Sequence, residues 1–85
     1  MLKDIIIDKL VTNRYKNMPP LQVAEYFEKL DPQDKSDATA ALLTNDNTVA
    51  KIKIMNFMKT ELDPIISDYL INGTLPVPLV EELIS

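Results

Sequence analysis

The sequence predicts an all-α protein, and three observations carry that prediction. Helix-capping signals recur along the chain, apolar residues fall at three- and four-residue spacing, and runs alternating polar with apolar are nearly absent. The clearest signal is the tripeptide Leu-Asp-Pro, at Leu30-Asp31-Pro32 and again at Leu62-Asp63-Pro64. Asp is a good N-cap, and Pro at the first helical position lacks an N–H that would have gone unbonded anyway. The residue before Pro disfavours helical geometry, which stops the preceding helix. Asp34 and Asp68 then fall near predicted helix starts, where the macrodipole favours negative charge. The expected architecture is a compact bundle of five to six short helices around a central apolar helix at about 48–62.

Each element follows from the same signals. The first helix is expected over about Leu2 to Lys16, with Leu2, Ile5, Ile6 and Leu10 on one face, and Asn17-Met18-Pro19-Pro20 ends it. A second, from about Pro20 to Leu30, carries a narrow stripe of Val23, Tyr26, Phe27 and Leu30. A third, from about Pro32 to Thr44, starts polar and turns apolar at Ala38, Ala41, Leu42 and Leu43. Asn45-Asp46-Asn47 reads as a turn, with Asp46 or Asn47 capping the next helix. That fourth helix, about Thr48 to Leu62, spreads Val49, Ile52, Ile54, Met55, Phe57, Met58 and Leu62 around most of its cylinder, as a central helix does. Lys51-Ile52-Lys53-Ile54 alternates like a strand, but it lies between capped helices with no partner strand in view. A fifth helix is expected from about Pro64 to Ile71, with Ile65, Ile66, Tyr69 and Leu70 inward. Gly73, the single glycine, sits where a left-handed residue closes a helix. After Leu75-Pro76-Val77-Pro78 comes a last short helix bearing Leu79, Val80, Leu83 and Ile84.

Residues 1–73 form the expected helical core and residues 74–85 a proline-containing segment, packed on that core or acting as an arm. Outside the joint the two Leu-Asp-Pro regions match poorly, with Phe27 against Lys59 and Val23 against Met55, so the tripeptide is recurring punctuation rather than a repeat. The stretch VAEYFEKLDPQDKSDATAALL, residues 23–43, resembles the helical N-terminal domain of MgtE-type magnesium transporters, which use similar Leu-Asp-Pro joints. The resemblance implies a capped helical hairpin over about a quarter of the chain. It implies no activity.

Eighty-five residues at 46% hydrophobic and 26% charged make one ordinary globular domain of modest stability. Without cysteine there are no disulfides and no thiolate metal sites. Ile5-Ile6-Ile7, flanked by Asp4 and Asp8, is too short for a signal peptide, and no stretch reaches the ~18 apolar residues of a membrane span. A cytoplasmic setting away from membranes is the expectation. The net charge is −4, and every charged side chain beyond Lys59 is acidic: Glu61, Asp63, Asp68, Glu81 and Glu82. That third of the chain would repel a phosphate backbone.

Chemistry-bearing constellations are sparse. With neither His nor Cys, nucleophilic triads and histidine catalysis are impossible, and a Ser-Lys pairing would need Ser36, Ser67 or Ser85 beside a buried lysine. Asp31, Asp34 and Asp37 crowd one helix start, where capping and dipole roles account for them. One glycine cannot build a phosphate cradle, and neither Asp-containing turn has the glycine and terminal Glu of a calcium loop. No metal, no cofactor and no enzymatic activity are expected.

The remaining features are apolar surplus and a few lysines. Leu79, Val80, Leu83 and Ile84 are the candidate partner-binding residues, for another protein or for a second copy in a homodimer. Lys51, Lys53 and Lys59 are candidates for contact with an acidic partner. The expected function is a small acidic, non-catalytic protein-interaction module: an adaptor, an assembly factor, or a regulator or inhibitor of a larger protein, of the kind found among phage accessory proteins. The alternative is a nucleic-acid-binding accessory protein using those lysines with Lys3, Lys9, Arg14 and Lys16 of the first helix, although the acidic balance disfavours nucleic acid.

Overall fold

The computed structural model describes all residues, Met1–Ser85, and is all-α, with five helices and no strand. They are α1 (Leu2–Lys16), α2 (Pro20–Lys29), α3 (Pro32–Leu42), α4 (Thr48–Ile71) and α5 (Val77–Ile84). The strand-like alternation at Lys51–Ile54 is absorbed into α4.

Most expected caps are present. Asp31 precedes α3 with an extended backbone and its Oδ1 accepts the Asp34 N–H at 2.8 Å, with Pro32 at the first helical position. Asp46 Oδ1 accepts the Thr48 N–H at 2.9 Å at the start of α4, and the Asn47 carbonyl accepts the Lys51 N–H. Two helices end in the double hydrogen-bonding pattern that needs a left-handed residue. After α4, Gly73 at φ 82 donates to the Leu70 carbonyl and Thr74 to the Tyr69 carbonyl. After α3, Asn45 at φ 61 does the same with Leu42, and Asp46 with Ala41.

The second Leu-Asp-Pro departs from expectation. Residues 62–64 lie inside α4, which runs on through Pro64 as one 24-residue helix, so the expected central helix at about 48–62 and the expected fifth helix are a single element. The reason is a buried series at four-residue spacing: Ala50, Ile54, Met58, Leu62 and Ile66. This series continues across Pro64, whereas the position four beyond Leu30 is Asp34. Each four-residue step turns the buried edge by about 40°, which is why α4 looks apolar on most sides in sequence. Five of the eleven buried apolar side chains lie on α4, so burial is organised around it.

The backbone divides into two compact units, each drawing on part of α4. One comprises Met18–Phe57. Its buried apolar side chains are Leu30, Ala38, Ala50 and Ile54. Tyr26 meets Phe57 edge-on with ring centroids 6.0 Å apart, and the Lys29 ammonium sits 4.9 Å above the Tyr26 ring. Ala38 alone of the expected apolar residues of α3 is fully buried, and Leu42 and Leu43 face solvent.

The other unit comprises Met1–Asn17 and Met58–Ser85. Ile6, Ile7, Leu10, Val11, Met58, Leu62 and Ile66 are its buried apolar residues. The inward face of α1 is thus centred on Ile6, Ile7, Leu10 and Val11, while Leu2 and Ile5, expected inward, are exposed. Lys3 pairs with Asp63 at 3.2 Å and Lys59 with Asp8 at 3.1 Å, a register that runs α1 antiparallel to this part of α4. The α5 helix packs on α1.

Candidate functional site

The C-terminal helix has apolar residues on two faces, and α1 engages one of them. Pro76 starts α5 with an extended backbone, Pro78 follows in its first turn, and the helix reaches Ile84. At helical pitch, Leu79, Glu82 and Leu83 share the side turned to α1, and all three are half-buried. Arg14 holds Glu82 in a two-pronged ion pair, Nε to Oε2 and Nη2 to Oε1, both at 2.9 Å. Asn13 Nδ2 donates to the Glu82 carbonyl at 3.1 Å. The hydrogen bonds from Arg14 hold the Glu82 carboxyl below its ordinary value; partial burial opposes this, and the guanidinium charge adds to it.

The opposite face of α5 is bare. Val77, Val80 and Ile84 repeat at three- and four-residue steps with 67%, 40% and 79% of their surfaces exposed. Glu81 flanks them, exposed and in no ion pair. Of the four apolar residues expected to bind a partner, Leu79 and Leu83 therefore turn to α1, while Val80 and Ile84 turn outward. Val77, placed before the last helix by the sequence, is its first residue and belongs to the outward stripe. Its signal was the shared spacing of positions 77, 80 and 84, hidden because two prolines bracket the first of them.

The lysines expected to contact an acidic partner are each engaged within their own unit or chain. Lys53 bonds Asp34 at 2.9 Å within residues 18–57, and Lys59 bonds Asp8 within the other unit. The hydrogen bond with Asp34, then that carboxylate's charge, raises the Lys53 pKa, with smaller contributions from Asp37 and Asp31. Lys51 is exposed but engaged. On α1, Lys3 and Arg14 are held by carboxylates, leaving Lys9 and Lys16 as its unbridged cations.

The acidic residues at the start of α3 have structural partners: Asp31 caps, Asp34 receives Lys53, and Asp37 accepts from Gln33 at 2.9 Å. The Asp46 carboxyl is lowered chiefly by the Thr48 backbone N–H it accepts, then by the Thr48 side chain. An open depression lined by Asp4, Ile5, Ile7, Asp8, Lys59 and Asp63 contains the Lys59–Asp8 pair. No group of three acidic side chains converges closely enough to hold a metal ion, and no polar or charged residue is fully buried. No helix is long and apolar enough to cross a membrane.

Compared with family models, curated proteins and solved structures, the chain matches none. Residues 23–43, which carry the resemblance, span most of α2, the Asp31 cap and α3.

Proposed function

We propose that this chain is a small acidic, non-catalytic protein-interaction module, acting as an adaptor, an assembly factor, or a regulator or inhibitor of a larger protein. One observation supports the reading above others: α5 carries a second apolar stripe, Val77, Val80 and Ile84, left uncovered after its first face is spent on α1. Burying such side chains is favourable by about 25 cal/mol per Å² of apolar surface, so an uncovered stripe on a helix is a standing inducement to bind. The helix-in-groove mode, in which anchors at three- and four-residue spacing enter a partner's groove, fits that stripe. A cytoplasmic setting belongs to the same proposal and is checked by fractionating source cells.

The test is affinity capture from source cells at physiological salt, run in parallel with wild type, Val80→Asp and Ile84→Asp. The proposal expects the wild type to retain one defined protein that both variants lose, since a carboxylate buried without a partner is costly. A wild type that retains no protein, or one that both variants retain equally, would overturn it.

A further inference from the structure

The unit formed by residues 1–17 and 58–85 carries its unspent charges asymmetrically. Lys3, Arg14 and Lys59 are each held by a carboxylate of the same unit, and its remaining cations are Lys9 and Lys16. Both lie on the outer face of α1. Positions 2, 5, 9, 12 and 16 step by three and four residues and therefore stack into one stripe. That stripe is Leu2, Ile5, Lys9, Thr12 and Lys16, exposed at every position, with Leu2 at 65% and Ile5 at 66%. It is half apolar and half basic, and nothing in the chain covers it.

The bare face of α5 is its chemical complement. Val77, Val80 and Ile84 step by three and four as Leu2, Ile5 and Lys9 do, over one heptad in each case. Glu81 beside them has no bridge, and no cation follows Lys59 in the chain to neutralise it. One unit thus presents an apolar-basic stripe on α1 and an apolar-acidic stripe on α5.

We infer that a second copy of this chain covers α5, with the outer stripe of α1 from one copy laid along Val77, Val80 and Ile84 of the next. Lys9 and Lys16 are drawn to Glu81 in that contact. The two symmetric alternatives are opposed by charge: α5 on α5 brings Glu81 towards Glu81, and α1 on α1 brings Lys9 and Lys16 towards themselves. A head-to-tail contact leaves an α1 stripe free at one end of the assembly and an α5 stripe free at the other. Growth therefore continues as an open chain unless the rotation closes a ring. Two stripes this short cover well under the ~800 Å² per partner of a standard interface, so the association is weak, with Kd on the order of 10⁻⁴ M.

This goes beyond the interaction-module reading and stands or falls separately from it, because the test contains no other protein. Sedimentation velocity is measured over a concentration series for wild type, for Ile5→Asp, for Val80→Asp and for an equal mixture of the two variants. Wild type is expected to grow into a distribution of sizes as concentration approaches about 1 mM, and to weaken several-fold from about 50 mM to about 500 mM salt. Each variant alone stays monomeric, because one of its two faces is spoiled. Their mixture forms a one-to-one heterodimer and nothing larger, since it joins the intact α5 of Ile5→Asp to the intact α1 of Val80→Asp. Both positions are exposed, and circular dichroism checks that each variant is folded; Ile84→Asp replaces Val80→Asp if that one is not. A monomeric wild type at every concentration overturns the inference, as does a mixture that stays monomeric. Self-association of Ile5→Asp alone points to α5 on α5, and of Val80→Asp alone to α1 on α1; either result also overturns it.

Discussion

Replacing Pro64 by Ala should make this protein more stable, an unusual outcome for a substitution in its longest helix. Pro64 lies inside α4, seven residues before its end. There the ring crowds the carbonyl four residues back and no N–H is available for the helical bond, which costs about 3 kcal/mol relative to Ala. The ring is exposed, so its loss uncovers little core. Against the gain stands the greater freedom of the unfolded chain once proline is gone, about 0.4–1 kcal/mol. The net expectation is a gain of about 2 kcal/mol, which for a domain of this size raises Tm by roughly 10 °C. Pro32→Ala is the matched control, because Pro32 opens α3 with an N–H that helical geometry does not use; there the substitution should be neutral or lose up to about 1 kcal/mol. Thermal and urea unfolding followed by far-ultraviolet circular dichroism measure both. If Pro64→Ala is no more stable than wild type, or if both prolines respond alike, residues 62–64 form a joint between two helices and the account of α4 is wrong.

Three further outcomes follow from the core, the caps and the ion pairs. Ile66→Ala empties a side chain with no exposed surface and should cost 2–5 kcal/mol, about the range for such cavities, in urea denaturation; a loss below about 1 kcal/mol would place Ile66 outside the core. Gly73→Ala meets no atom within 4 Å, so its expected loss of about 1 kcal/mol is purely the strain of φ 82, and Gly73→Asn should lose less; equal stability of all three would remove the left-handed cap from the argument. Glu82 is held below its ordinary value of 4.5, so the stability it draws from Arg14 is present above that pH and is lost as pH falls through the lower folded value. The stability difference between wild type and Arg14→Gln should therefore shrink as pH drops below about 4.5, and a difference constant with pH would refute the pairing.

The candidate site was half legible in the sequence. That α5 would be helical, apolar and placed after a stiff proline entry follows from Pro76, Pro78 and the spacing of Leu79, Val80, Leu83 and Ile84. Which side faced α1 did not. Leu79 and Leu83 on one side and Val77, Val80 and Ile84 on the other are equally apolar, and what selects between them is Glu82, whose carboxylate meets Arg14 from nearly seventy residues away. A long-range ion pair leaves no mark in local spacing. The same holds for Lys53 and Lys59, which read as a basic cluster until Asp34 and Asp8 claim one each.

By itself the sequence determined the helical class, the span of α1, the cap at Asp31 and the left-handed stop at Gly73. These are consequences of backbone chemistry that acts within four or five residues: a side-chain acceptor for an orphan N–H, or a residue without Cβ where φ must be positive. Tertiary structure decided between two identical tripeptides. Leu30-Asp31-Pro32 breaks the chain, because the position four beyond Leu30 is Asp34 and continuing the helix would extend no buried edge. Leu62-Asp63-Pro64 does not break it, because Ile66 prolongs the edge set by Ala50, Ile54, Met58 and Leu62, and Asp63 is tied to Lys3. A proline in mid-helix costs about 3 kcal/mol, and burying Leu62 and Ile66 contributes about 1.5–3 kcal/mol each. Local preference lost at Pro64 because the buried edge it would have interrupted, Leu62 before it and Ile66 after it, is worth more in sum.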